Sequence, residues 1–356
     1  METEAKAEAK AEARDVCKGF KYLIAVRPLG MMYGSAGAFL SPENLVGRSG
    51  AKFPPDANTL SGVFFHAHYH DQEFKEELKY ELFTAGPFWA EWPETNSPPK
   101  FYVPMPWHRI IGQNQNGKDD FDEWFLTEKK GEKVWQRKKK DLEPTYNWLR
   151  IDDWLKKTEG ICQNKRAATS PWQYAPMLHP QMREYERSVL DEDGLFLENA
   201  VQLEEGKCLV YLSSHELKSG WYRFGGENHL AEIKSVVIAE DSRLDKLLKQ
   251  PVGKAFATIT PAVWGSTRYS YRYPQHEDFP KVSKMLTDRP SPYRPNVGGN
   301  LGRGRYAVPP GSVYILEEAI DKPWSQWDRK WFPAQKYPLQ HLGSGLCLPI
   351  TVEGMN

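Results

Sequence analysis

The residues of this chain whose types and spacing best suit a chemical task lie late in it, at Gly298-Gly299-Asn300-Leu301-Gly302-Arg303-Gly304-Arg305-Tyr306. Four glycines in seven residues let a backbone turn through positive φ and approach a ligand closely. Amides presented by such a turn form an anion-binding concavity, and Arg303 and Arg305 bring cations to the same spot. The approach to this stretch is also basic. From Arg268 to Arg305 there are eight cations (Arg268, Arg272, Lys281, Lys284, Arg289, Arg294, Arg303, Arg305) and three acids (Glu277, Asp278, Asp288), an excess of five. Tyr269, Tyr271, Tyr273 and Tyr293 are interleaved with them. Cations that pair with phosphates, beside rings that stack on bases, are what single-stranded nucleic acid needs. The plainer reading is a basic surface loop with tyrosines packed underneath.

Other candidates are weaker. No GxxxxGK[ST] string and no GxGxxG in a βαβ setting occurs, which removes the usual nucleotide-binding loops. His66-Ala67-His68-Tyr69-His70-Asp71 would place His66 and His70 one turn apart if it were helical, where they could face a metal or a scissile phosphate. No HExxH string accompanies them, and His68 falls off that face. A His-rich polar helix edge is the plainer reading. Gly225-Gly226-Glu227 is a bend before a strand, and the Lys129–Lys140 run reads as a solvated face. No catalytic triad, metal-ligand set or cofactor motif emerges, so catalytic and metal residues are expected to be absent.

The elements that must position the late glycine–arginine stretch can be read from pattern. Phe20–Gly30 is β-branched, aromatic and stopped by Pro28, as a strand is. A Gly- and Ser-rich loop follows to about Pro55 and holds Arg48 and Lys52. A helix then runs from Asn58 or Thr59 to about Phe74, with Leu60, Val63, Phe64 and Ala67 as its apolar stripe. The stretches around Gly86–Trp92 and Phe101–Trp107 form a hairpin with a polar tip near Thr95–Pro99. Gly112–Pro180 is charged and Trp-studded and reads as an insertion outside the core, partly helical over Tyr146–Lys157. Two strands joined at Glu204-Glu205-Gly206 come next, then a strand after the Gly-Gly bend and a helix over Asp241–Gln250. Lys254–Trp264 opens a second strand-led half.

This order is α+β and compatible with two tandem βαββαβ units. The 356 residues suit two domains, here 1–19 as a disordered or helical tail, 20–240 with the 112–180 insertion, and 241–356 with the glycine-rich loop. Formal net charge is zero, with 47 cations and 47 anions, so nucleic-acid binding must come from a local patch. Cys17, Cys162, Cys208 and Cys347 form no CxxC pair, consistent with reduced thiols. The apolar runs are too short to span a bilayer, and the Ala-rich charged start is no signal peptide, so a cytoplasmic location is expected.

Several motifs in order resemble a known family. They are RPLG at Arg27–Gly30, PPDANTLSG at Pro54–Gly62, GPF and YVPMP at Gly86–Phe88 and Tyr102–Pro106, GLFLENAVQL, RFGGENHLAEIK, TPAVW at Thr260–Trp264 and GRGRYAVPPGSVYIL. From about Phe20 to Ile350 this set resembles the repeat-associated mysterious proteins (RAMPs) of CRISPR systems, in particular the third subunit of the type III-B (Cmr) effector complex. The resemblance implies two ferredoxin-like (RRM-like) domains with the glycine-rich hallmark loop at Gly298–Gly304; the long loop after the first strand and the charged, Trp-rich 112–180 insertion depart from that pattern. It implies a non-catalytic subunit in antiviral defence that grips the 5′ tag of the guide RNA and docks the large polymerase-like subunit beside the backbone RAMP subunits. The RNA-binding residues so expected are Gly298, Gly299, Gly302, Arg303, Gly304, Arg305, Arg268, Arg272, Arg48 and Lys52. The alternatives are a RAMP-fold endoribonuclease that processes guide RNA, with His66 or His70 as base, and a scaffold that binds no nucleic acid.

Overall fold

The structure is a computed structural model that describes residues 19–33, 53–95, 98–180, 182–189, 195–225, 228–266, 269–294, 296–297, 300–333 and 338–355. A first, wholly antiparallel sheet is built from β1 (Tyr22–Pro28), β2 (Thr84–Glu91), β3 (Phe101–Pro104), β4 (Trp148–Arg150), β5 (Ala167–Ala168), β6 (Lys207–Ser213), β7 (Gly220–Phe224) and β8 (His229–Val237). Their spatial order is β5-β4-β3-β2-β6-β1-β8-β7. β1 is apolar in nearly every position because both its faces are covered. Ile24 and Val26 point to one side, Leu23 and Ala25 to the other, and all four are fully buried.

Two helices cover the Ile24 side: α1 (Ala57–Ala67), which buries Leu60, Val63 and Phe64, and α2 (Gln72–Glu81), which buries Leu78. The sequence predicts one helix to about Phe74. The chain instead leaves the helix at His68 and restarts at Asp71, whose carboxylate caps the new helix by accepting from the Phe74 amide at 3.0 Å.

A second antiparallel sheet of β9 (Gly253–Thr258), β10 (Val282–Leu286), β11 (Val313–Ile320) and β12 (Cys347–Pro349) has the order β10-β11-β9-β12. Within the first sheet the run β2-β6-β1-β8 has the same arrangement: second, third, first and fourth in chain order. One core joins the two sheets. Leu23, Ala25, Phe88, Phe101 and Val210 of the first pack with Phe256, Val313, Ile315 and Leu348 of the second, around Trp154, Trp264, Trp324 and Trp327. A third small sheet pairs Trp172–Pro180 with Leu195–Leu203 and Met32–Tyr33. The strand over Leu195–Leu203 therefore does not form a hairpin with Lys207–Ser213 across Glu204-Glu205-Gly206. The two strands enter different sheets.

The 112–180 segment also differs from expectation. It forms the hairpins Arg109–Gln113/Asp119–Glu123 and Phe125–Lys129/Glu132–Gln136, supplies β4 and β5, and carries the short helix α3 (Thr158–Gln163). Leu126, Leu149, Ile151, Trp154 and Ile161 enter the main core, and Trp154 Nε1 donates to the Pro349 carbonyl at 2.8 Å. Its charge masks this, although Asp122 of the first hairpin and Asp153 are themselves buried. α4 (Arg243–Leu248), capped by the Ser242 hydroxyl, lies between the two sheets in sequence as expected. Cys162, Cys208 and Cys347 are unpaired buried thiols.

The seam between the halves is tight. Gly343 has φ +67°, and a Cβ there would lie 2.4 Å from the Ala85 Cβ and 2.7 Å from its Cα. Beside it the Thr84 hydroxyl donates to the Ala57 carbonyl at 3.3 Å, and the His341 ring packs on Phe83 at 4.2 Å. Gly343→Ala should cost about 2–4 kcal/mol, from the strained φ and the forced displacement of β2. A urea midpoint equal to that of the wild type would refute this packing. Burial, aided by Arg329, holds the His341 pKa down to about 3, and burial likewise keeps His108 well below its usual value. In the unfolded chain both take a proton near pH 6.5. Stability should therefore fall as pH drops from about 6.5 toward 3, by up to about 1.4 kcal/mol per pH unit for each histidine. His341→Phe should flatten its share of that slope in denaturation curves run across this window.

Candidate nucleic-acid interface

The glycine-rich stretch forms the upper part of a β-hairpin. Ser291–Tyr293 pairs with Arg305–Ala307, and Asn296–Val297 pairs with Asn300–Leu301, which leaves Gly298-Gly299 to connect them. Gly298 and Gly299 themselves lie outside the described residues. A second hairpin, Trp264–Gly265 with Ser270–Tyr271, stands beside it, joined where the Tyr306 amide donates to the Ser270 hydroxyl at 3.0 Å. Gly265 is required there. Its φ is +103°, and a Cβ would lie 2.3 Å from the Tyr269 carbonyl oxygen.

Alternation along the Arg305–Ala307 strand sorts the side chains. Arg305 points inward and is 6% exposed, Tyr306 points outward and is 48% exposed, and Ala307 is buried. The Arg305 Nη1 donates to the Ser266 carbonyl and so fixes the tip of the second hairpin. Burial lowers its pKa, and the nearby Arg303 charge pushes the same way. Arg294 is similarly engaged, donating from Nε to the Gly302 carbonyl at 2.8 Å. Tyr293, read from sequence as one of the interleaved rings, is buried in a small cluster with Val263, Ala307, Leu339 and Leu342 beneath the hairpin.

What faces out is a smaller set. Arg303, Arg272 and Arg289 are exposed, as are Tyr269 (62%), Tyr271, Tyr273 and Tyr306. The Arg272 backbone is anchored by the Tyr314 hydroxyl, which donates to its carbonyl at 2.8 Å. Tyr314 in turn accepts from the Trp264 indole at 3.2 Å. Gly302 and Gly304 sit in the hairpin beside Arg303, half-buried. Arg268, Arg48 and Lys52 lie outside the described residues. Tyr306 is the residue that sequence reasoning left out of the site, although in-out alternation from a buried Arg305 would have placed it outside. Among the described residues this region offers three exposed arginines and four exposed phenol rings beside the two hairpins, which suits phosphates and stacked bases.

The histidine pair does not form. α1 ends at Ala67, so His66 and His70 do not share a helix turn, and the His68 ring donates from Nδ1 to the Phe64 carbonyl at 3.0 Å. Among the described residues no group of His, Cys, Asp and Glu could hold a metal ion, and no helix is long and apolar enough to cross a membrane.

A family model of CRISPR-associated proteins, Cas_Cmr3, matches residues 38–352. The chain belongs to the Cas_Cmr3 family. The match takes in both sheets from α1 onward and the glycine-rich hairpin. No curated protein matches the chain. Among solved structures it is similar to a chain of the type III-B Cmr-beta complex bound to cognate target RNA, with 10% identity, 82% of this chain and 86% of that chain covered, and a TM-score of 0.44. It is also similar to a chain of the Csm1–Csm4 cassette in complex with pppApA (13% identity, 84% and 88% covered, TM-score 0.34). A third is a chain of the Csm3–Csm4 subcomplex of the type III-A interference complex (10% identity, 84% and 94% covered, TM-score 0.35).

Arg303 and Arg305 should behave in opposite ways when truncated. Arg305→Ala removes a buried donor from the Ser266 carbonyl and should lower stability by about 1–3 kcal/mol. Arg303→Ala should leave thermal stability within about 0.5 kcal/mol, as surface changes do. Equal melting temperatures for the two variants would show that the inward and outward assignments are wrong.

Proposed function

We propose that this chain is a non-catalytic subunit of a type III CRISPR effector complex that holds the 5′ tag of the guide RNA on the glycine–arginine hairpin. On this reading it also docks the large polymerase-like subunit and adjoins the backbone RAMP subunits, in the cytoplasm. Membership of the Cas_Cmr3 family supports the setting. The observation that carries the RNA role is that Arg303, Arg272 and four tyrosines face outward while Arg294 and Arg305 hold the same two hairpins from within. The tag's phosphates lie against Gly298, Gly299, Gly302 and Gly304 and pair with Arg303 and Arg272, with Arg268, Arg48 and Lys52 extending the path. Arg305 acts on the RNA indirectly, by shaping the turn. The repeated strand order in the two sheets supports two ferredoxin-like units, over 20–240 and 241–356, although among the described residues the two long helices, α1 and α2, both belong to the first.

Filter binding of single-stranded repeat-derived RNA at several salt concentrations tests this. Arg272→Ala with Arg303→Ala should weaken binding and reduce the slope of log affinity against log salt by roughly 1.4, about 0.7 for each single-strand phosphate no longer neutralised. Tyr306→Ala should cost about 1–3 kcal/mol with little change in slope, as stacking does. RNA recovered from these incubations should be uncut. Unchanged affinity in all three substitutions would place the RNA elsewhere, and site-specific cleavage lost on His66→Ala or His70→Ala would make the chain a nuclease.

A further inference from the structure

The first sheet ends at β7, and among the described residues no strand lies along its outer side. The strand pairs with β8 over five residues without a shift in register, Gly220↔Ile233 to Phe224↔His229, so no bulge turns this edge away. Nor does Gly220–Phe224 contain a proline. Bulges and prolines are common protections of a free edge. One face of the edge is packed under α1 through Tyr222 and Phe224. The other face is open. Across it run two rows of side chains, Trp221–Glu232–Arg27 and Arg223–Leu230–Leu29, set by the pairing of β7 with β8 and of β8 with β1 and its extension. Trp221 is 56% exposed, Leu230 49% and Leu29 55%. Arg223 is exposed at the rim, Arg27 is ion-paired with Glu232, and Arg27 and Lys234 lie over the Trp92 ring at 4.3 and 4.8 Å.

We propose that β7 is a strand-addition site, which takes up along its open edge an extended segment of a partner protein. An indole and two leucines in adjacent rows make an apolar centre of the kind that anchors protein contacts. A strand laid beside β7 presents every second residue to this face. Its side chain opposite Trp221 is therefore apolar, and the one two positions along, opposite Arg223, is a carboxylate. Main-chain hydrogen bonds supply the attachment, and these two positions supply selectivity. The proposal rests on the reading of the chain as an effector subunit, because the occupant is a protein.

The test uses the full chain, reconstituted separately with the large polymerase-like subunit and with the backbone subunits, each with guide RNA. Amide exchange is followed over residues 220–224. In one of the two complexes the outward amides of β7 should exchange more slowly than in the free chain. Trp221→Ala with Arg223→Glu should weaken that partner's binding by about tenfold or more, with melting temperature and RNA affinity unchanged. Protection of this edge in neither complex, or equal partner binding by the variant, would overturn the proposal. So would a loss of RNA affinity in the variant, which would make the surface a nucleic-acid platform. A wild-type chain that joins neither complex would sink the effector reading itself, a result distinct from a chain that joins with its edge still exchanging.

Discussion

The arrangement of the whole molecule depends on one close approach, between the backbone of Gly343 and that of Ala85. The turn after Leu339–Leu342 comes so near β2 that no side chain fits between them. That approach brings the second half against the first at the level of α1, where the Thr84 hydroxyl reaches the Ala57 carbonyl. Leu339 and Leu342 of the same turn form the floor under Tyr293, Val263 and Ala307. The glycine–arginine hairpin thus stands on residues whose position the seam sets. A seam defined by excluded volume is stiff, because close-packed interiors do not deform smoothly.

Stiffness explains the unequal use of the cations. A loop with four glycines loses much backbone entropy on ordering, and that loss opposes any ligand that must order it. In this chain part of the ordering is done before a ligand arrives. Arg294 bonds the Gly302 carbonyl and Arg305 bonds the Ser266 carbonyl, so two guanidinium groups hold backbone that would otherwise wander. Fewer charges are left to meet phosphate, but they are better placed, and preorganisation is the more economical route to affinity.

Much of this was legible in the sequence. The apolar run at Tyr22–Val26, the β2/β3 hairpin and the helix near Arg243 could each be read from period and punctuation, because each is decided locally. The failures have physical reasons. The Leu195–Leu203 and Lys207–Ser213 strands and the turn between them were legible, but not that the two enter different sheets, because partner choice in a sheet is set by tertiary packing. The 112–180 segment read as peripheral because it is rich in charge, while single residues such as Leu126, Leu149 and Trp154 reach the core. Tyr293 and Arg305 read as site residues because composition does not report direction. Only the pairing Tyr293↔Arg305 shows that both lie on the inner face.

A chain with zero formal net charge gains nothing from long-range attraction to RNA, so whatever affinity it has must come from contacts at short range. The few arginines exposed here among the described residues would neutralise few phosphates, which limits the sequence-independent term and its loss with salt. Stacking on Tyr269, Tyr271, Tyr273 and Tyr306 does not share that limit, since it needs no counterion release and acts on unpaired bases alone. If it holds RNA as proposed, a surface built this way would discriminate against duplex, whose bases are already stacked, and favour a short single-stranded end. On the proposed reading, rings over a preordered hairpin, more than a strongly basic groove, would let a neutral protein select such an end.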